Sequence, residues 1–307
     1  MIYLDHAAAT PVDARVLKAM KPYFDVQFFN PSAAYLPAKQ VAAEYEAAKG
    51  EIAHAVGAKA SDIVITAGAT EANNLAFTSI QGGSITNDSS TLEPTRPPVF
   101  TGDSFCRRRL DDGEQALELD ESSVSTTVLY LETEHDSVRA IAKRLGGTPI
   151  KVLKNGMINL KDLKSKITNE TELISVSLVN NEIGVIQPLA EISTIIREIK
   201  IERLKRGIKR QLLLHSDASQ ALNLLDINVS RLGVDLLTLN SAKIYGPKGV
   251  GALYISHDAR LKPLVLGGGQ EKGLRSGTEN VPGVIGFSVA VEEAKRHLNW
   301  YFKQNHQ

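Results

Sequence analysis

The sequence holds one cysteine, Cys106, among its 307 residues. A single thiol excludes an internal disulfide framework and a cysteine-based metal cluster. Long apolar runs are also missing, and none reaches the roughly 20 residues that a bilayer-spanning helix needs. Net charge is missing too. Lys plus Arg and Asp plus Glu stand at 35 each, so no global field draws the chain to nucleic acid or to an anionic membrane. The opening Met1-Ile2-Tyr3-Leu4-Asp5 lacks the basic-then-apolar layout of a secretory signal, and a cytoplasmic location is the expectation. There is no internal repeat.

What is present is a globular composition, with 43% hydrophobic and 23% charged residues. The length suits one large α/β domain or two modest ones. Short β-branched runs alternate with amphipathic segments. Strands are expected at Asp62–Thr66, Thr127–Glu132, Ile150–Leu153, Glu172–Val179, Gln211–Ser216, Asp235–Asn240 and Gly251–Ile255. Helices are expected between them, at Ala38–Val56, Glu71–Ile80, Asp136–Leu145, Leu160–Ile167 and Leu189–Arg203. Several strands are apolar on both faces, the mark of a mostly parallel sheet covered by helices. Alternation of this kind predicts a layered α/β domain.

Two regions depart from that pattern. Residues 82–126 are rich in Ser, Thr, Asp, Pro and Gly, and they carry Arg107-Arg108-Arg109 and Cys106. A structureless stretch of that length inside a domain reads as an inserted, disordered segment. The arginine triplet suits either a phosphate-bearing partner or a solvated charge run. Towards the C-terminus, Gly283 to Phe302 reads as a helix with an apolar stripe at Val284, Phe287, Val291, Leu298 and Tyr301. Such a stripe needs cover, from a partner subunit or from further sequence.

Polar clusters recur where the strands end, and strand ends form a single crevice in α/β proteins. Lys243 follows the apolar run Val234 to Leu239 and precedes a Gly-Pro-Lys-Gly turn. Held neutral, a lysine there can form a Schiff base; left solvated, it is simply the end of a strand. Gly68-Ala69-Thr70-Glu71-Ala72-Asn73-Asn74 opens a helix after another strand. Its free N–H groups suit a phosphate, while Thr70 suits either that anion or the role of helix cap. Asp217 in the run His215 to Gln220 needs a partner if buried, which a pyridinium nitrogen, an amide or a lysine would provide. His135 suits ring stacking and proton transfer or a structural place. Asn180 and Asn181 stand at a further strand end.

Together these segments resemble the cysteine desulfurase (NifS-like) branch of the class V aminotransferases, which depend on pyridoxal 5'-phosphate. The resemblance rests on Tyr3 to Val12, Gly68 to Asn74, Thr133-Glu134-His135, Val179 to Val185, Asp217 to Gln220, Lys243 to Tyr254 and Arg275 to Gly283. It implies the fold of type I pyridoxal phosphate-dependent transferases, a three-layer α/β/α large domain with a mostly parallel sheet. That domain would span 16–260, with 1–15 and 261–307 forming an incomplete small domain and dimer contacts.

By resemblance, Lys243 would hold the cofactor and move the substrate Cα proton. Asp217 would pair with the ring nitrogen, and His135 would stack on the ring. Asn181 and Gln220 would bond the ring oxygen, while Thr70 and Asn240 would serve the phosphate. Thr278 would reach the phosphate of a neighbouring subunit, so a homodimer is implied. The implied reaction takes L-cysteine to L-alanine and passes sulfur to an acceptor protein for iron–sulfur cluster assembly or tRNA thiolation. No metal, nucleic acid or membrane is implied.

Three departures accompany the match. Asn240 and Ala242 stand where the family has a serine and a histidine before the lysine. The family's asparagine-proline-serine segment becomes Asn30 to Leu36 here and lacks its histidine. The family's sulfur-accepting cysteine and its substrate-carboxylate arginine would fall beyond Gln307, and Cys106 does not align with that cysteine. Another pyridoxal phosphate reaction, such as transamination or β-elimination, or a truncated, inactive relative acting only as a folded dimer or binding module, is therefore kept as an alternative.

Overall fold

Seven short strands alternate with helices in the computed structural model of the chain, which describes residues 2–80 and 127–305. The strands are β1 (Ile63–Thr66), β2 (Val128–Leu131), β3 (Thr148–Ile150), β4 (Leu173–Ser175), β5 (Leu213–Asp217), β6 (Leu236–Asn240) and β7 (Gly251–Ile255). They form one sheet in the order β1-β7-β6-β5-β4-β2-β3. Only β7 pairs antiparallel with its neighbours, so the sheet is mostly parallel, as expected.

Strand periodicity explains the layers. Ile63 and Ile65, Leu129 and Leu131, and Leu237 and Leu239 feed one apolar cluster. Their alternates Val64, Val128, Tyr130 and Leu236 feed another. The first is completed by α1 (Ala14–Met20), with α2 (Pro22–Asp25) beside it, and by α3 (Leu36–Ala55). The second is covered by α4 (Ala69–Phe77) and α5 (Asp136–Arg144). Back on the first face lie α6 (Leu160–Lys166), α7 (Leu189–Lys205), α8 (Val229–Leu232) and α9 (Val281–Asn305). The result is a three-layer α/β/α arrangement. No helix among the described residues is long and apolar enough to cross a membrane.

Two strands depart most from their expected ranges. The third was expected at Ile150–Leu153 but forms at Thr148–Ile150, because its parallel partner β2 ends at Leu131 opposite Ile150. Beyond that, Val152 turns to a local bridge with Ile158. Pro149 is tolerated because β3 is the sheet edge. The strand expected at Glu172–Val179 is regular only to Ser175, although Val176 and Leu178 still donate to His215 and Asp217 at 3.0 Å.

The apolar stripe of α9 corrects another expectation. Val284, Phe287 and Val291 are buried against α1 and α3 of the same chain, so this part of the stripe needs no external cover. The segment 82–126, with Cys106 and the arginine triplet, lies outside the described residues.

A buried ion pair fastens the loop after β7 to α3. Glu271 accepts from Lys49 Nζ at 2.7 Å, Tyr45 Oη at 2.7 Å and the Ile65 N–H at 2.8 Å. With three donors on one carboxylate, the cost of burying its charge is offset.

Candidate active site

The parallel strands all deliver their C-terminal ends to one edge of the sheet, where a cleft of about 1080 Å³ opens. Thr70, His135, Asn181, Asp217, Gln220, Asn240 and Lys243 all line it. Thr278 does not; it is exposed on the loop leading into α9.

Lys243 leaves β6 through a short 3₁₀ turn, Ser241–Lys243, which Asn240 caps by accepting from the Ala242 N–H at 3.2 Å. Its ammonium donates to the carbonyls of Ala7 and Ala8 at 2.7 and 2.6 Å. Gln220 Nε2 also donates to Ala7, at 2.9 Å. Partial burial holds the Lys243 amine below the usual lysine range, against the opposing pull of Asp5 and Asp217. A lysine shifted this way is more readily neutral and nucleophilic. Behind it, Tyr245 adopts φ 64 and is held by Thr10 Oγ1, which accepts its N–H at 2.9 Å. Such a conformation is costly for a non-glycine residue and clusters at functional sites.

Gly68, not Thr70, is the cap of α4, which removes the capping explanation for Thr70. Gly68 brings no side chain and has φ 143, a conformation open only to glycine. The first intrahelical bond runs from Ala72 N–H to Gly68 O at 3.1 Å, so the N–H groups of Ala69, Thr70 and Glu71 precede the ladder. Gly251 packs so close to Gly68 that a Cβ there would lie 2.8 Å from its backbone. Arg275 donates to Glu71 at 2.9 Å and ties the Arg275–Gly283 loop to this turn. The geometry is that of an anion cradle, and it fits a phosphate.

The alternation Leu213, His215, Asp217 aims these three side chains at the layer of α4 and α5. There Asp217 Oδ2 accepts from Asn73 Nδ2 at 2.8 Å and Oδ1 from the Ser219 N–H at 2.9 Å. His215 is fully buried between Ser175 Oγ at 2.9 Å and Thr238 Oγ1 at 3.1 Å, and burial pushes it down to about 4, so it stays neutral. His135 caps α5, its Nδ1 accepting from the Ser137 N–H at 3.1 Å. Asn180 shapes the neighbouring turn by accepting from the Glu182 and Ile183 N–H groups at 2.9 and 3.0 Å, which leaves Asn181 at the cleft.

Glu134 adds a feature that sequence patterning did not show. It is 3% exposed, and both carboxylate oxygens lack a hydrogen-bond partner. Burial first, and the Asp217 charge second, push its acid up to about 8. Ser175 and Ser177 approach without good hydrogen-bond geometry and offset only part of that. Asn73 was equally unforeseen as a partner of Asp217. Its one signal is an amide on the helix face that also carries Ala72 and Ala76 into the core.

The profile of the family described as aminotransferase class-V matches residues 2–91 and 116–299. The chain belongs to the class V aminotransferase family. That family uses pyridoxal phosphate, and several similar class V members are cysteine desulfurases. Cysteine desulfurase IscS 1 of Archaeoglobus fulgidus is 37% identical over 294 residues, covering 95% of this chain and 65% of its own. Cysteine desulfurase IscS of Rickettsia typhi is 38% identical over 313 residues, covering 98% and 65%. The chain thus spans about 65% of the length of these curated class V relatives. Among solved structures, a NifS-like protein superposes with a TM-score of 0.77 at 28% identity, covering 97% of this chain and 70% of that one. SspA in complex with cysteine superposes at 0.74 with 33% identity, covering 95% and 72%. The three-layer fold is therefore that of pyridoxal phosphate-dependent transferases. The class V match leaves out 92–115, and with it Cys106.

Proposed function

We propose that this chain binds pyridoxal 5'-phosphate on Lys243 and acts on L-cysteine as a cysteine desulfurase-type enzyme. The observation that carries the reading is the meeting in one cleft of a partly buried lysine amine, a buried aspartate and a helix N-terminus that no side chain caps. The residues suit the cofactor. Thr70 and the first turn of α4 would hold its phosphate, with the amide of Asn240 nearby in the cleft wall. Asp217 would accept from its ring nitrogen, His135 would pack against its ring, and Asn181 and Gln220 would donate to its ring oxygen. When bound, the cofactor supplies an electron sink for negative charge at the substrate Cα. Lys243 then takes and returns the Cα proton, a task suited to an amine whose proton affinity is lowered by burial.

Thr278 is exposed and so accessible to a second subunit. The exposed Leu264, Val265 and Leu266, together with Phe24, Val26 and Phe28, support a homodimer. A cytoplasmic location and delivery of sulfur to an acceptor protein for iron–sulfur clusters or tRNA thiolation belong to the same reading.

A second reading is favoured by one observation. Desulfuration needs a thiolate to take the sulfur, and the one cysteine, Cys106, lies outside the family match. Transamination or β-elimination at the same cleft needs no such thiolate.

The deciding experiment is the absorption spectrum after adding pyridoxal phosphate and desalting, before and after L-cysteine. A retained band that shifts with cysteine is expected. Lys243→Ala should lose the band entirely. Borohydride fixation of the cofactor on a different lysine, located by mass spectrometry, would overturn the assignment. Alanine with protein-bound sulfur supports desulfuration, whereas pyruvate with free sulfide supports elimination.

A further inference from the structure

The side chain of Asn73 is fully buried, and its amide nitrogen has two protons with two acceptors waiting. One is Asp217 Oδ2 at 2.8 Å, and the other is Ser137 Oγ at 2.8 Å. The direction of these bonds is not free. A flipped amide would set its oxygen against the Asp217 carboxylate, acceptor facing acceptor. Ser137 Oγ therefore accepts from Asn73 and has its own proton left to give. His135 Nδ1 lies 2.9 Å away and already accepts from the Ser137 N–H. A nitrogen that accepts two donors carries no proton, so the ring proton of the neutral imidazole sits on Nε2.

We infer that Asn73 is a positioning residue, which fixes Asp217 directly and, through the Ser137 hydroxyl, fixes His135 with its proton on Nε2. The cost of keeping it is visible in the structure. Asn73 Oδ1 is buried with no donor, a penalty that an apolar residue on this helix face would avoid. The two donations are what the amide supplies in return. The device joins three elements: α4 brings Asn73, β5 brings Asp217, and the start of α5 brings Ser137 and His135. Asp217 and His135, the residues proposed to meet the ring nitrogen and to pack against the ring, thus share a single rigid reference point.

The inference rests on the proposed cofactor site for its purpose, but its first test needs no cofactor. Long-range proton–nitrogen correlation on the cofactor-free, ¹⁵N-labelled protein reports both ring nitrogens of His135. The expected result is a protonated Nε2, with the Nδ1 resonance displaced by the bonds it accepts. Asn73→Ala and Ser137→Ala should each move Nδ1 towards its unbonded position, and Ser137→Thr, which keeps the hydroxyl, should not. A proton on Nδ1 in the parent protein, or an Nδ1 resonance unmoved by either alanine variant, would overturn the inference. Should Asn73→Ala fail to fold, Ser137→Ala at the start of α5 decides the matter alone.

The second readout is the dissociation constant for pyridoxal phosphate, expected to rise about tenfold in Asn73→Ala, the worth of one charge-assisted hydrogen bond. An unchanged constant would overturn the link to Asp217. If the parent protein holds no cofactor at all, the proposed function fails, while the ring measurement still decides the role of Asn73.

Discussion

The side chains of Glu271 and Glu134 are buried in opposite circumstances. Glu271, in the loop after β7, meets Lys49, Tyr45 and the Ile65 N–H. Glu134, in the wall of the cleft, meets no well-formed partner at all. The first is a carboxylate whose charge has been provided for, and it anchors a loop to a helix. The second is an acid whose charge has been discouraged, and it leaves Asp217 as the buried negative charge beside it. Saturation marks the region that holds the fold together, and its absence falls in the wall of the cleft proposed to hold the cofactor.

The strongest way to break that comparison is to remove the cation from the satisfied side. Lys49→Met strands Glu271 without its charge partner and should cost about 3–5 kcal/mol in urea denaturation at neutral pH. A loss below about 1 kcal/mol would mean that the pair is better solvated than its burial indicates. Next comes Glu134→Gln, which should act in the other direction. Because the folded-state acid is raised from 4.5 to about 8, its contribution to stability is intact below the lower value and is lost as pH climbs through the upper one. The glutamine variant should match the parent protein in acid and exceed it at alkaline pH by up to about 5 kcal/mol. Parallel melting curves across that range would remove the contrast between the two glutamates. The mildest test is Tyr45→Phe, which deletes one of the three donors to Glu271. A loss of about 1–2 kcal/mol is expected, with no dependence on the state of the cleft.

Much of this architecture is legible in the residues. All seven strands coincide wholly or partly with apolar runs, because strands buried on both faces advertise themselves as continuous hydrophobic sequence. The first, second and eighth helices are not legible, since α1 buries only Val16 and Met20, and α2 and α8 are four residues each. The displaced edge strand shows another limit: Val152 and Leu153 are good strand residues, but β2 offers them no partner beyond Leu131. At the site, Lys243, Asp217 and His135 are legible because strand ends are legible. Asn73 and Ser137 are not, since their roles come from a lateral contact between α4 and α5 that no local pattern encodes. The neutral state of Glu134 likewise depends on burial that only the assembled sheet creates.

The grip of Ala7 and Ala8 on Lys243 has a consequence for how the protein comes into being. The bond joins positions 236 residues apart, across almost the full run of strands. During synthesis the N-terminal segment emerges first, yet it finds its partner only after β6 has been made and placed. Contacts of such separation carry a large loop-closure cost and form late. This corner of the cleft should therefore be among the last parts of the molecule to consolidate, and pulse-labelling hydrogen exchange would find Tyr245 N–H protected after the strands behind it.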